Sequence, residues 1–440
     1  MIRWLRSFLF TNVKALQAYH LMRQGAALLI AVLLTKTGLD TGRIGTYEML
    51  LYLGGLVSSF WIQGLVQALL SEYPRLPGPE QRQFVVNAYG LFLFLGLLIG
   101  CGMILAKPIV LPLLSGQAQL DYYELFFIYV AINFPAFLLE NLFLLWQRPQ
   151  QNFLFGMLSS LPMVIAVIAP PFLGFDFAYS FYGLIALAAL RHLYLLYHVW
   201  QNGLWEFRLD LLLRWARIAF PLILYALLGG LNQSFDSWLV GQYYDGNETQ
   251  FAIFRYGARE LPLVMALAAA LGTAMVPRVA DQLDIALGEI RSKSLKLFHF
   301  LFPLSIGLML TSQWLFPLVF NTDFEESVAI FNVFLLVIIS RLIFSRTVLV
   351  GLQDNRIVLF ISLIELVTNV LLSWWLIRAM GLIGVAWGTL LSISLEKIML
   401  CLRLYWRFGI GWRQYTDLRW WWLYSVLLVV AFAIQFPATG

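Results

Sequence analysis

About ten charged side chains fall inside segments apolar enough to cross a membrane: Arg23, Glu140, Arg191, Asp236, Arg255, Arg259, Glu260, Arg341, Glu365 and Glu396. Each is expensive in hydrocarbon, roughly 2.5–3.5 kcal/mol on insertion scales, and such residues normally face a bundle interior or a water-filled cavity. Three of them crowd into one stretch, FAIFRYGARELPLVMALAAALGTAMVPR, at 251–278. Four residues apart, Arg255 and Arg259 are expected on one helix face, about 6 Å apart along the axis. Arg23 lies near the middle of the first span. A guanidinium fork matches phosphate oxygens in pairs, so Arg23, Arg255, Arg259 and Arg341 form a candidate set for an anionic, phosphate-bearing cargo. The alternative is structural pairing, Arg259 with Glu260 or Arg341 with Glu365. Two arginines on one face need more than one acceptor, which weighs against that for the set as a whole. Glu260, about 100° around the helix from Arg259, is expected to be a structural partner. Arg191 and Lys397 lie toward the ends of their spans, where long side chains snorkel; Glu140 and Glu396 are their expected partners.

A second set is acidic and polar. Asp236 lies in LNQSFDSWLVG, Glu365 and Asn369 in LIELVTNVLL, and Thr389 in GVAWGTLL. Carboxylate, amide and hydroxyl oxygens are what a hard cation prefers, so the four could form a coupling site for Na+ or H+. Asn and Thr also hydrogen-bond between helices with no ion involved, and residue types alone leave both readings open. No other cofactor is indicated. Cys101 and Cys401 both lie in apolar segments and offer neither a disulfide framework nor a CxxC metal site.

The elements that must position these residues are membrane helices. Of 440 residues 61% are hydrophobic and 12% charged, against about 25% charged in soluble domains. Runs of about 20 apolar residues predict spans near 13–34, 49–70, 84–105, 122–146, 153–173, 177–199, 213–239, 251–276, 295–316, 327–349, 357–377 and 384–405, with a short extra one at 420–436. Pro135, Pro162, Pro221, Pro262 and Pro303 fall inside spans, where each removes a backbone hydrogen bond and allows a kink. The N-terminus, MIRWLRSFLFTNVKALQAYHLMR, lacks a small-residue cleavage site and reads as an uncleaved cytoplasmic lead-in. With the N-terminus inside, 19 of the 29 Lys and Arg residues fall on inner ends and loops, four on outer loops and six within spans. That is a positive-inside bias, and it explains the net charge of +5 without nucleic acid as a partner. The polar segment 202–212 separates two sets of six spans, 1–201 and 213–405, with a cytoplasmic loop and the extra helix at 406–440. The expected fold is all-α and polytopic: two pseudo-symmetric six-helix bundles around a central cavity, plus a C-terminal helix.

Catalytic signatures are missing. His20, His192, His198 and His299 are scattered, and there is no HExxH, GxSxG or P-loop pattern. A membrane glycosyl or acyl transferase would present a base or an acidic pair near one interface, and the chain offers none.

Several stretches together carry a resemblance. RYGARELPL through LGTAMVPR, at 255–278, resembles the matching span of lipid II flippases: a Tyr-x-x-Arg, then Leu-Pro-Leu, closing on Pro-Arg. TNVLLSWWLIRAMGLIGVAWGTLLS, at 368–392, resembles polysaccharide and O-antigen flippases in its Asn, Leu-rich run, Gly-x-x-Gly-x-Ala and Thr. The chain thus resembles the multidrug/oligosaccharidyl-lipid/polysaccharide (MOP) exporter superfamily, nearest its polysaccharide flippase branch, over residues 1 to about 405. The resemblance implies alternating-access export of an isoprenoid-diphosphate-linked oligosaccharide across a bacterial cytoplasmic membrane, beside membrane lipids and other polysaccharide-assembly proteins. It implies that Arg23 and Arg259, with Arg255 nearby, bind the diphosphate. It also implies a sodium site from Asp236, Glu365, Asn369 and Thr389, with acid and amide on the eleventh span in swapped order. The alternative within the superfamily is an ion-coupled multidrug exporter, which would favour cavity carboxylates for cationic drugs.

Overall fold

Without water to bond its backbone, an apolar segment must satisfy every N–H and C=O internally, and for single segments that means a helix. The structure, a computed structural model, describes residues 12–259 and 261–435; it is all α-helical with short 3-10 turns and no strand among the described residues. Among the described residues eleven helices are long and apolar enough to cross a membrane, and the bent pair Glu326–Arg341 and Ser345–Gly351, 42° apart, makes a twelfth. The first-span helix, Asn12–Leu34, forms as expected. Lys14, Gln17, His20, Arg23 and Gln24 make its first half too polar to pass the same test. The short C-terminal segment is a helix, Leu418–Gln435. This is a multi-pass membrane protein. The lead-in at 1–11 and Glu260 lie outside the described residues.

Contacts divide the chain into two units, Met1–Ser234 with Gly241–Thr249, and Phe235–Val240 with Gln250–Gly440. The division falls inside the helix Leu209–Tyr243, not at 202–212. The reason is packing. Trp215 is fully buried against Phe84 and Phe92, with ring centroids 5.0 and 6.4 Å away. Arg214 pairs with Glu72 at 3.3 Å and Glu80 at 3.4 Å, and a Cβ on Gly64 would stand 2.6 Å from the backbone N of Ile223. About the first three-quarters of that helix therefore belong to the N-terminal unit. In lipid the drive to associate is packing rather than hydrophobic burial, so small residues mark the interfaces. Gly96 and Gly100 do so against Phe134 and Ala131, where an added Cβ would come within 2.9 and 2.5 Å.

In the C-terminal unit the helices Asn355–Met380 and Leu382–Phe408 form a hairpin. It turns at Gly381, whose φ of 65° and ψ of −144° suit only glycine. The two arms touch at Gly384 and Gly388. A Cβ on Gly384 would sit 2.1 Å from the Leu376 carbonyl oxygen, and one on Gly388 2.7 Å from the Ser373 nitrogen. Gly384→Val is expected to lower stability by roughly 1–3 kcal/mol, the usual cost of overpacking, and to broaden the melting transition in detergent. An unchanged midpoint would contradict this close approach. The C-terminal helix lies on Leu283–Val319: Tyr424 stacks on Phe302 at 5.5 Å and its hydroxyl meets His299 Nδ1 at 2.9 Å. Arg291 donates to Asp417 at 2.8 Å, which holds that carboxyl below its ordinary range.

Candidate functional site

The eighth span is interrupted. Its first helix, Glu248–Gly257, ends where Gly257 meets the tenth span so closely that a Cβ would stand 2.7 Å from the Ser327 carbonyl. The Ser327 hydroxyl caps it from the side, donating to the Ile253 carbonyl at 2.7 Å. The second helix starts at Pro262. A residue before proline is driven out of the helical region, and Leu261 accordingly has φ −62° and ψ 115°. Arg255 therefore rides on the first helix while Arg259 occupies the break. The expected single helix with both arginines on one face is not what forms, because hydropathy over twenty residues does not register a four-residue break. The expected role of Glu260 falls on a residue outside the described ones.

The tenth span breaks as well. The short helix Ile338–Arg341 closes with Arg341, residues 342–344 leave the helix, and Ser345–Gly351 resumes it. Arg259 and Arg341 line one pocket with Leu261, Val264, Ser305, Phe334, Leu335, Val337 and Ile338. Arg259 lies over the Tyr256 ring, 4.5 Å from its centroid, a cation–π contact. Tyr256 is itself fixed by stacking on Phe324 at 4.3 Å. Ser305 is fully buried and its hydroxyl has no hydrogen-bond partner among the described residues. Arg255 is half-buried and does not line the pocket. An apolar wall lowers the local dielectric and strengthens what two guanidinium groups can do to an anion.

Three of the four proposed ion ligands meet. Asn369 donates from Nδ2 to Asp236 Oδ1 at 3.1 Å, and the Thr389 hydroxyl lies 2.6 Å from Asp236 Oδ2. Asn369 Oδ1 faces Ser373 Oγ at 3.1 Å and Thr389 Oγ1 at 3.4 Å. Asp236 is on the short stretch of its helix, 235–240, that belongs to the C-terminal unit; Asn369 and Thr389 come from the two arms of the hairpin. Ser373, fully buried, was not among the expected residues, although it lies one turn beyond Asn369 on the same face. Glu365 lies one turn before Asn369 and is half-buried.

In the N-terminal unit Arg23 faces Glu140, with Nη1 and Oε1 3.9 Å apart. Expected pairings are corrected here. Glu140 pairs with Arg23, while Arg191 donates to Asn133 Oδ1 at 3.2 Å and to the Ser159 carbonyl. Glu396 takes Arg346 Nη2 at 2.6 Å rather than relying on its neighbour Lys397. Adjacent helical residues point about 100° apart and cannot face each other, which is why Arg346 wins.

The fold is that of MOP-superfamily transporters. The chain is similar to the lipid II flippase MurJ in its inward closed conformation, with 14% identity and a TM-score of 0.75 over 97% of this chain and 93% of that one. It is similar to an inward-facing multidrug resistance MATE family transporter, at 15% identity and a TM-score of 0.62 over 92% and 96%. It also resembles a MOP superfamily transporter from Pyrococcus furiosus whose binding pocket is described as reversed in polarity, at 14% identity and a TM-score of 0.60 over 90% and 96%. No protein-family model and no curated protein sequence matches the chain.

Proposed function

We propose that this protein is a flippase that carries an isoprenoid-diphosphate-linked oligosaccharide, a polysaccharide or O-antigen precursor, across the cytoplasmic membrane by alternating access, with its N-terminus inside. The observation that carries this reading is the pocket lined by Arg259 and Arg341. Two guanidinium groups and a buried hydroxyl in an apolar wall suit the oxygens of a diphosphate. Within the N-terminal unit Arg23, whose side chain is 44% exposed, is a separate candidate ligand for cargo phosphate, as the resemblance to lipid II flippases implies. The flippase fold supports the same reading. A multidrug exporter of cationic compounds would place carboxylates where these arginines stand. A transferase would need a base or acidic pair beside its acceptor. Neither alternative draws on the residues that line this pocket.

Coupling falls to Asp236, Asn369 and Thr389. One carboxylate with neutral oxygens suits a monovalent cation better than a divalent one, and among the described residues no group of three or more His, Cys, Asp and Glu could hold a metal. Sodium would require Thr389 to turn its proton away and Asn369 to present Oδ1. Ion entry would then rearrange the bonds that tie residues 235–240 to the hairpin. Mass spectrometry of lipids retained by the purified protein tests the cargo: a polyprenyl diphosphate bearing sugars is expected. Phospholipid alone, together with potential-driven efflux of an organic cation from vesicles, would overturn the proposal.

A further inference from the structure

Glu140 is a buried acid beneath an exposed base. Its side chain is 6% exposed and that of Arg23 is 44% exposed. Their 3.9 Å separation exceeds hydrogen-bond range, so the pair is held by charge alone and is readily exchanged. Tyr19 hydrogen-bonds the carboxylate, and Arg191 acts on it from the sixth span. Among the described residues the second-span helix, also packed on 139–145, brings no charge to bear. Oε2 has no donor among the described residues. Asn152, 1% exposed, donates to the Glu140 carbonyl at 3.0 Å and leaves its own Oδ1 equally without a donor. A buried carboxylate oxygen lacking a donor is a place where a proton can reside.

We propose that Glu140 is a proton-exchange site controlled by cargo through Arg23. The inference rests on the reading that Arg23 binds the cargo phosphate. When a diphosphate draws the guanidinium away, Glu140 loses its nearest counter-charge. Arg191 remains committed to Asn133 and the Ser159 carbonyl, and a buried carboxylate that has lost its nearest counter-charge takes a proton rather than stay charged. The proton comes from the water that reaches Arg23, and it bonds to Oε2. When the cargo leaves, Arg23 returns and the proton goes back to that water. Net charge around Arg23 is conserved: one phosphate negative charge replaces one carboxylate charge. Glu140 acts here through Arg23 and is a positioning and proton-carrying residue, not a ligand of the cargo.

The test is calorimetric titration of the purified full-length protein with farnesyl diphosphate at pH 7.5–8.5 in buffers of different ionisation enthalpy. Wild type is expected to take up close to one proton per probe bound, so its affinity falls up to about tenfold per unit rise in pH. Glu140→Gln is expected to bind at least as well, with no uptake and a flat profile. Binding without uptake in wild type, or equal uptake in both, overturns the inference while leaving the functional reading intact. Absence of binding by wild type overturns both. Infrared difference spectra of wild type labelled with 13C-glutamate keep the test open if Glu140→Gln does not fold. A protonated glutamate carbonyl band is expected on adding the probe, and its absence overturns the proposal.

Discussion

Charge reversal at Arg259 or Arg341 is expected to abolish flipping while the protein still inserts and melts normally. Arg259 stands in the break after Gly257 and Arg341 closes a short helix, both beside the pocket, and neither lies inside the long helix stacks that hold the units together. Removing one side of a desolvated charge pair typically costs 2–5 kcal/mol, which is about 30-fold to several thousand-fold in affinity at 1.4 kcal/mol per decade. Reversal adds repulsion on top of that loss. Arg→Lys at either site keeps the charge and loses the fork, so it should fall between wild type and Glu. The measurement is transport of a labelled lipid-linked oligosaccharide in proteoliposomes, with binding of a polyprenyl diphosphate alongside. Full transport by Arg259→Glu and Arg341→Glu would remove both residues from the cargo site. Arg255→Glu provides a contrast, since Arg255 does not line the pocket and its reversal should weaken transport less.

Asp236→Asn is expected to uncouple the transporter. The carboxylate accepts from both Asn369 and Thr389, and the variant replaces one of its acceptor oxygens with a donor that faces the Asn369 amide. In wild type, Na+ should raise both the transport rate and the melting temperature, because a ligand that binds only the folded state stabilises it by RT ln(1 + [L]/Kd), about 2.7 kcal/mol at a hundredfold excess over Kd. In Asp236→Asn both effects should vanish and the rate should drop by about tenfold or more. Stabilisation by Na+ that survives the substitution would place the ion elsewhere. A rate that follows the pH gradient and ignores Na+ would assign the same carboxylate to protons.

Much of this was legible in the residues themselves. The helical, polytopic class follows from apolar runs of spanning length, and those runs became the helices. Asp236, Asn369 and Thr389 could be gathered because oxygen-bearing side chains are rare in spans and each must find a partner there. The interruption of the eighth span was hidden because an average over about twenty residues absorbs the local dip at RYGAREL; Gly257 and the proline at 262 also mark it, and both occur in continuous helices too. The pairing of Glu140 with Arg23, and of Glu396 with Arg346, depends on which helices are neighbours, and no spacing within one helix encodes that. Ser305 and Ser373 carry no charge and fall in apolar runs, so composition gave them no weight. The place where the contact units divide, inside Leu209–Tyr243, was equally invisible: it depends on Trp215 and Gly64 finding partners in helices more than a hundred residues away in sequence.

The break between Gly257 and Pro262 also has an electrical character of its own. A helix carries roughly half a negative charge at its C-terminus and half a positive charge at its N-terminus. Glu248–Gly257 ends at the break and Pro262–Asp281 begins there, so backbone dipoles of opposite sign meet across four residues. The first end favours a cation, and Arg259 stands just beyond it. The second favours an anion, and its first-turn N–H groups point out of the helix with no carbonyl of their own to bond. The main chain alone thus sets opposite partial charges at the two sides of the break, at no cost of burying a further ionised side chain.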